Sequence, residues 1–405
     1  MDADLPLVAH LLRRTSFGPF PGQVRALSAS GVAVAVATVL SATPSPLPAP
    51  PDLSLKNNNA PVAWWLTRMA DPGAGLVEKM TWFWHGHLTS SRSKVNDWGL
   101  MWQQHLLLRA NALGNFRDLM QAITIDPAML WYLDGNASSD AAPNENYARE
   151  LMELFTLGHG NYTQADVTAG AHALSGWRID RRAGGARFVP ADGPTGPVTY
   201  LGQSASSASD VINAVCDQPA CAPFIAGEIY AYLAGVPPTP AQADQLATVF
   251  RGANLEIKPL VAAILTDPGF PTLRQNRGRY PVEWITAAMA AMGLSNPKAA
   301  ESLAVDMGQI PFHPPAVNGW PPGMRWLAPS FALARDALAA HTPAIDEVAG
   351  TEDPVSAAFE RCSLYEVTAE TRNAIEQAAA SVSEPRRKAA TILGLAIASP
   401  EFALA

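Results

Sequence analysis

Apolar residues recur along this chain in short stretches at helical spacing, separated by proline, glycine and asparagine. A 3.6-residue period broken at such residues predicts amphipathic helices joined by tight connections. The first lies around 7–14, Leu-Val-Ala-His-Leu-Leu-Arg-Arg, and an apolar stretch at 31–40 reads as a core helix. Segment 61–70 carries Trp64, Trp65 and Leu66, and Asp71-Pro72-Gly73 reads as a turn. Helices follow at 76–85, 97–112, 116–125 and 127–133. Segment 146–157 is sharply delimited, because Gly158 suits the left-handed residue that closes a helix. Thr163 and Asp166 are spaced like a capping box and open a helix that stops at Gly176. Further helices are predicted at 208–216, 222–234, 239–252, 257–266, 281–293, 297–307, 330–340, 353–362, 367–381 and 384–398.

Three stretches break the pattern. Segment 44–61 is too rich in proline for helix or central strand, and Asn57-Asn58-Asn59 adds turn character. It reads as an extended tether or a mobile loop. Segment 181–209 reads as a loop-rich insertion with at most a short β-hairpin near 186–202, and it is the candidate internal boundary. Segment 311–326 is irregular and rich in Pro, Gly and Trp. With no fixed-period repeat, the expectation is an all-α fold, a multi-helix globular bundle.

Composition narrows the function classes. The chain has 405 residues, 48% hydrophobic and 16% charged, enough apolar material for a large core. The net charge of -8, with no basic stripe, argues against a nucleic-acid partner. The 31–40 stretch is too short for a membrane span. At the N-terminus Arg13 and Arg14 follow the apolar residues instead of preceding them, so no signal peptide is read and a cytoplasmic location is expected. Cys216 and Cys221 are close enough for a small-loop disulfide, the alternative being two buried thiols, and Cys362 stands apart.

Two elements could carry chemistry. The first is His85-Gly86-His87. On a continuous helix two positions two apart face about 200° away from each other, so convergence needs a break at Gly86. Converged imidazoles would suit a divalent transition metal such as Zn, Fe, Cu or Ni with a carboxylate such as Glu150, and axial haem ligation is the weaker option. The second is the 146–157 segment, where Asn146, Glu150 and Glu153 share one helical face beside Arg149. These four are the candidate catalytic residues, with Glu150 as ligand or general base. The plain alternative is a Glu145–Arg149–Glu153 ladder of surface ion pairs with Asn144 or Asn146 as N-cap. His10, beside Arg13 and Arg14, reads as a helix-surface contact, and His105 as a solvated face. His313, Trp320 and Trp326 sit in the irregular late segment, where loops can carry function. Phosphate-loop, dinucleotide, nucleophile-elbow and His-Glu-x-x-His motifs are absent from the sequence.

The stretch Phe116 to Trp177 holds a dense set of motifs. These include Asp126-Pro127-Ala128-Met129-Leu130, the run Asn144-Glu145-Asn146-Tyr147-Ala148-Arg149-Glu150-Leu151-Met152-Glu153-Leu154-Phe155-Thr156-Leu157-Gly158, and Ala173-Leu174-Ser175-Gly176-Trp177. Phe83-Trp84-His85-Gly86-His87, Gly308-Gln309-Ile310-Pro311-Phe312, Gly319-Trp320-Pro321 and Ser399-Pro400-Glu401-Phe402 accompany them. Together they resemble the Domain of Unknown Function 1800 family over nearly the whole chain, which implies one domain over 1–405. The resemblance implies that relatives are commonly exported and encoded beside a second family, hence a protein partner. It names no reaction. The chain departs from the family's pattern at Ala191-Asp192, at Glu228 where relatives often carry Lys, and at His172 where Arg is usual. Two readings follow: a helical enzyme with a buried polar, metal-dependent, redox or hydrolytic site, or a non-catalytic helical binding and assembly protein. Convergence of His85, His87 and Glu150 on one cavity would favour the first.

Overall fold

Helix starts fall largely where the polar punctuation places them. Asp97, Asn115, Asp126, Asn144, Ser207 and Thr368 each accept a backbone N–H from the first turn that follows. The Thr163–Asp166 capping box forms as expected, and Gly158 and Gly176 take φ of 78° and 89°. The computed structural model describes residues 2–54, 59–180, 182, 184–321, 323–327 and 342–405. The expected 330–340 helix, and Asn57-Asn58 of the proline-rich stretch, lie outside the described residues. Among those residues the fold is mostly α, with two small antiparallel hairpins. No described helix is long and apolar enough to cross a membrane.

Both hairpins fall in or beside the loop-rich insertion. Trp177–Asp180 pairs with Gly185–Phe188, and Val198–Tyr200 pairs with Gln203–Ala205. The sequence allowed one hairpin there; the first starts earlier than expected, directly after Gly176. A Cβ on Gly176 would sit 2.7 Å from the Gly193 backbone, so only glycine lets the strand turn in. Tyr200, fully buried, packs the second hairpin onto the Gln164–Ala173 helix at Gly170, whose missing Cβ leaves the ring its space.

The apolar faces gather into two clusters. One holds Val8, Leu12, Trp84, Phe116, Leu151, Phe155, Ile225 and Phe250. The other holds Trp65, Trp82, Trp102, Trp284, Phe312 and Leu393. The first cluster draws on residues before and after the insertion. Tyr132 and Tyr232 pack against both. The Gly75–His87 helix lies between them: Trp82 faces one cluster, Phe83 and Trp84 the other. That placement explains why even its Glu78 and Lys79 are buried.

Of the two readings of the proline-rich stretch, the extended tether holds for its first part. Arg68 donates to the Ser45 carbonyl at 3.0 Å and hydroxyl at 2.7 Å, and Trp64 Nε1 donates to Ala49 O at 2.8 Å. Arg68 also meets Glu78 at 3.2 Å, both fully buried. Cys216, Cys221 and Cys362 are free, buried thiols, so the disulfide alternative gives way to the packed one.

Two surface readings are overturned. His10, Arg13 and Arg14 are buried, with 1%, 5% and 0% of their surface exposed. His105 is buried among Trp64, Trp65, Trp102 and Phe312 with neither ring nitrogen bonded. In both places the polar residue is enclosed because a second layer of chain covers what periodicity alone assigns to solvent.

Candidate functional site

The Gly75–His87 helix continues through Gly86, so its two imidazoles face apart. His85 sits among Trp65, Trp82, Phe312 and Trp320. Its Nε2 accepts the Phe312 N–H at 3.2 Å, which occupies that nitrogen's lone pair. Burial, with His313 beside it, pushes its pKa down to about 3. His87 contacts a different set: it stacks on Phe83 at 5.5 Å and touches Trp84, Phe155 and Phe224. Gly86 serves a close approach instead of a break. A Cβ on Gly319 would lie 2.3 Å from the Gly86 carbonyl oxygen. This contact seats Trp320, whose ring stacks on Trp82 at 4.7 Å and 18°.

The predicted 146–157 helix is two structures in series. Glu145–Glu150 is α-helical and Leu151–Thr156 is a π-helix. The Leu157 N–H reaches back to the Met152 carbonyl at 2.8 Å, and Gly158 N–H joins it at 3.1 Å. The Thr156 hydroxyl also donates to the Leu151 carbonyl. π-turns of this kind are rare and cluster at functional sites. Here the wider turn offers the Phe155 carbonyl to His87 Nε2–H at 3.0 Å. With Nε2 as donor, Nδ1 is the unprotonated nitrogen. Burial lowers the His87 pKa, while the Glu228 carboxylate pulls it back up.

The π-helix also separates the predicted polar stripe. Arg149 pairs with Glu145 at 3.2 Å and Gln164 at 3.0 Å, and not with Glu153. Asn144, not Asn146, is the cap, and Asn146 is exposed. Glu150 is half-buried beside Arg149 and Glu153, its pKa raised by burial and by Glu153. Glu153 alone of the four turns toward His87's side, where it accepts from Tyr162 OH and meets His159 Nε2 at 2.9 Å. His85, His87 and Glu150 therefore do not form one ligand set. Among the described residues no group of three or more His, Cys, Asp or Glu side chains is placed to hold a metal ion.

What the structure does assemble is a cleft of about 510 Å³ at the seam of the two apolar clusters. His87, Glu153 and Glu228 are among its polar groups, with His159, Gln309 and Asn318, and Trp82, Phe83, Phe224, Tyr232, Tyr280 and Trp320 form its walls. Two buried donors among the lining residues lack a partner: Gln309 Nε2 and Trp320 Nε1. Gln309 is fixed by its other end, since its Oε1 accepts the Val282 N–H at 3.1 Å. Behind Tyr232 and Tyr280 lies a buried ionic group. Glu283 bonds Arg277 at 2.8 and 2.9 Å and also bonds Lys79, and Lys79 Nζ donates to the Ser16 carbonyl at 2.9 Å. Arg277 lies 5.0 Å over the Tyr280 ring and Lys79 5.8 Å from the Tyr232 ring.

Sequence reasoning missed Gln309, Tyr232 and Tyr280 as cleft residues and saw Glu228 only as a departure. The departure thus falls inside the cleft. The others lie elsewhere: His172 pairs with Asp140 at 2.8 Å, and Asp192 with Arg178 at 2.8 Å.

No curated protein and no solved structure matches this chain. A family model described as "Protein of unknown function (DUF1800)" matches residues 10–404. With nearly the whole chain covered, this protein belongs to the DUF1800 family.

Proposed function

We propose that the protein is a hydrolytic enzyme acting on a small polar molecule in the His87 cleft, with His87 as general base. The observation that carries this reading is the His87 imidazole held by the Phe155 carbonyl, with Glu228 beside it and Nδ1 left as the basic atom. Nδ1 takes a proton from water as the water oxygen attacks the substrate's electrophilic carbon. Glu228 stabilises the imidazolium, which then returns the proton to the leaving group. The aromatic walls exclude water and hold the substrate's apolar face. The metal set of His85, His87 and Glu150 is not part of this proposal, because their surroundings are disjoint.

The binding-and-assembly alternative draws less support, since among the described residues the large exposed hydrophobics Val34, Leu47, Leu106, Phe188, Val305 and Leu395 lie on separate segments. A panel of chromogenic esters, amides and glycosides, assayed with wild type and His87→Ala, tests the proposal. Turnover that falls at least a hundredfold in a folded His87→Ala protein supports it. No turnover across the panel, or turnover indifferent to the substitution, counts against it.

A further inference from the structure

Arg13, Arg14, Lys79, Arg277 and Arg279 are all buried where the Leu5–Thr15 helix meets the chain around 277–283. Glu283 is the carboxylate that pairs with members of this group, and it takes Lys79 and Arg277. Arg14 finds Asn276 Oδ1 and the carbonyls of Leu273 and Ala405. Arg13 and Arg279 are left over. Arg13 donates Nη2 to the Ser363 carbonyl at 2.8 Å, but its Nε is unmet. Arg279 is 2% exposed, and its Nε, Nη1 and Nη2 find no hydrogen-bond partner among the described residues. Its guanidinium lies 4.4 Å from the Phe402 ring centre, which offers no lone pair. The Ser363 hydroxyl, 1% exposed, is also unmet.

Buried guanidinium N–H groups with no acceptor among the described residues, acted on only by carboxylates already paired elsewhere (Glu366 with Arg274, Glu283 with Lys79 and Arg277), are an unstable arrangement unless something negative neutralises them. The unmet guanidinium groups can only donate, and the Ser363 hydroxyl can donate as well as accept. We infer that the protein carries a small inorganic anion of halide size, buried between Arg13, Arg279 and Ser363. A monatomic anion needs no oriented acceptor and can occupy the volume of a water. Because Arg279, Ser363, Cys362 and Phe402 are all buried, the anion is taken up as the chain folds and stays through the native state.

The test compares thermal midpoints in sodium gluconate and in sodium bromide at constant ionic strength. Wild type is expected to show a saturable rise in Tm with bromide, and crystals grown in bromide an anomalous peak between Arg13 and Arg279. Arg279→Leu should abolish the bromide dependence. Should that variant not fold, Ser363→Ala keeps both guanidiniums and should raise the half-saturating bromide concentration about tenfold, the worth of one hydrogen bond to a charge. A Tm indifferent to bromide, an unchanged bromide response in both variants, or a water where the peak should be overturns the inference.

Discussion

Glu283→Gln removes one charge and almost no volume from the ionic group behind the cleft. In the native protein Glu283 and Arg277 have side chains 4% exposed and Lys79 is fully buried. The substituted amide can still cap the Pro281–Met292 helix as Glu283 does when it accepts the Tyr280 N–H at 3.0 Å. What it cannot do is balance Lys79 and Arg277. Breaking a buried pair by removing one partner costs about 3–5 kcal/mol, because the surviving charge stays desolvated. Urea unfolding should therefore show a lower midpoint at unchanged slope. Adding Lys79→Met relieves one orphaned cation, so the double variant should lose about 0.5–3 kcal/mol less than the sum of the singles. Burial lowers the Lys79 pKa to about 8, against the opposing pull of Glu283. Between that value and its unfolded value of about 10.4 the unfolded state binds more protons, so native stability rises with pH through this window. In Glu283→Gln the window should open at lower pH. A loss under about 1 kcal/mol, or strict additivity with Lys79→Met, would refute the reasoning.

Three further outcomes are expected. His10, His85 and His105 have pKa values lowered chiefly by burial, to about 2, about 3 and well below normal, so each is protonated only on unfolding as pH falls below about 6.5. Asp126 opposes them, because burial raises its pKa to about 7 and the folded state holds its proton. Together these four groups contribute about two protons, or a stability loss near 3 kcal/mol per pH unit between about pH 6 and 4, and His105→Leu should reduce the observed slope by about one proton. Gly319→Ala, whose Cβ would meet the Gly86 carbonyl at a residue with φ of 74°, should cost about 2 kcal/mol or more and alter the near-ultraviolet dichroism of the Trp82–Trp320 stack. Thr156→Val removes the hydroxyl's hydrogen bond to the Leu151 carbonyl and should cost about 1 kcal/mol, with faster amide exchange at Leu157 and Gly158.

Local chemistry made the helices legible. Apolar spacing, the Thr163–Asp166 box and Gly158 are each decided within a few residues, and the structure follows them. The π-helix was not legible, because the choice of an i→i+5 bond over i→i+4 depends on what the carbonyls meet, and Phe155 O meets His87. Placing Glu153 with Arg149 on one face followed from assuming a regular helix. The His85-Gly86-His87 reading treated Gly86 as a break, whereas the pressure on that glycine comes from Gly319, far away in sequence. Burial of Arg13, Arg14 and His105 likewise depends on distant segments. The cleft gathers residues from stretches around 82–87, 153–159, 224–232, 280 and 309–320, so no single motif could announce it.

The central claim is that His87 and Glu228 act as one acid–base unit in that cleft. Nitrogen-15 NMR of labelled histidine, titrated in wild type and Glu228→Gln, addresses it most directly. The His87 ring is predicted to be neutral at pH 7 with its proton on Nε2, titrating below 6.5, and titrating lower still in Glu228→Gln. A His87 that titrates near 6.5 in both proteins, or carries its proton on Nδ1, would contradict it.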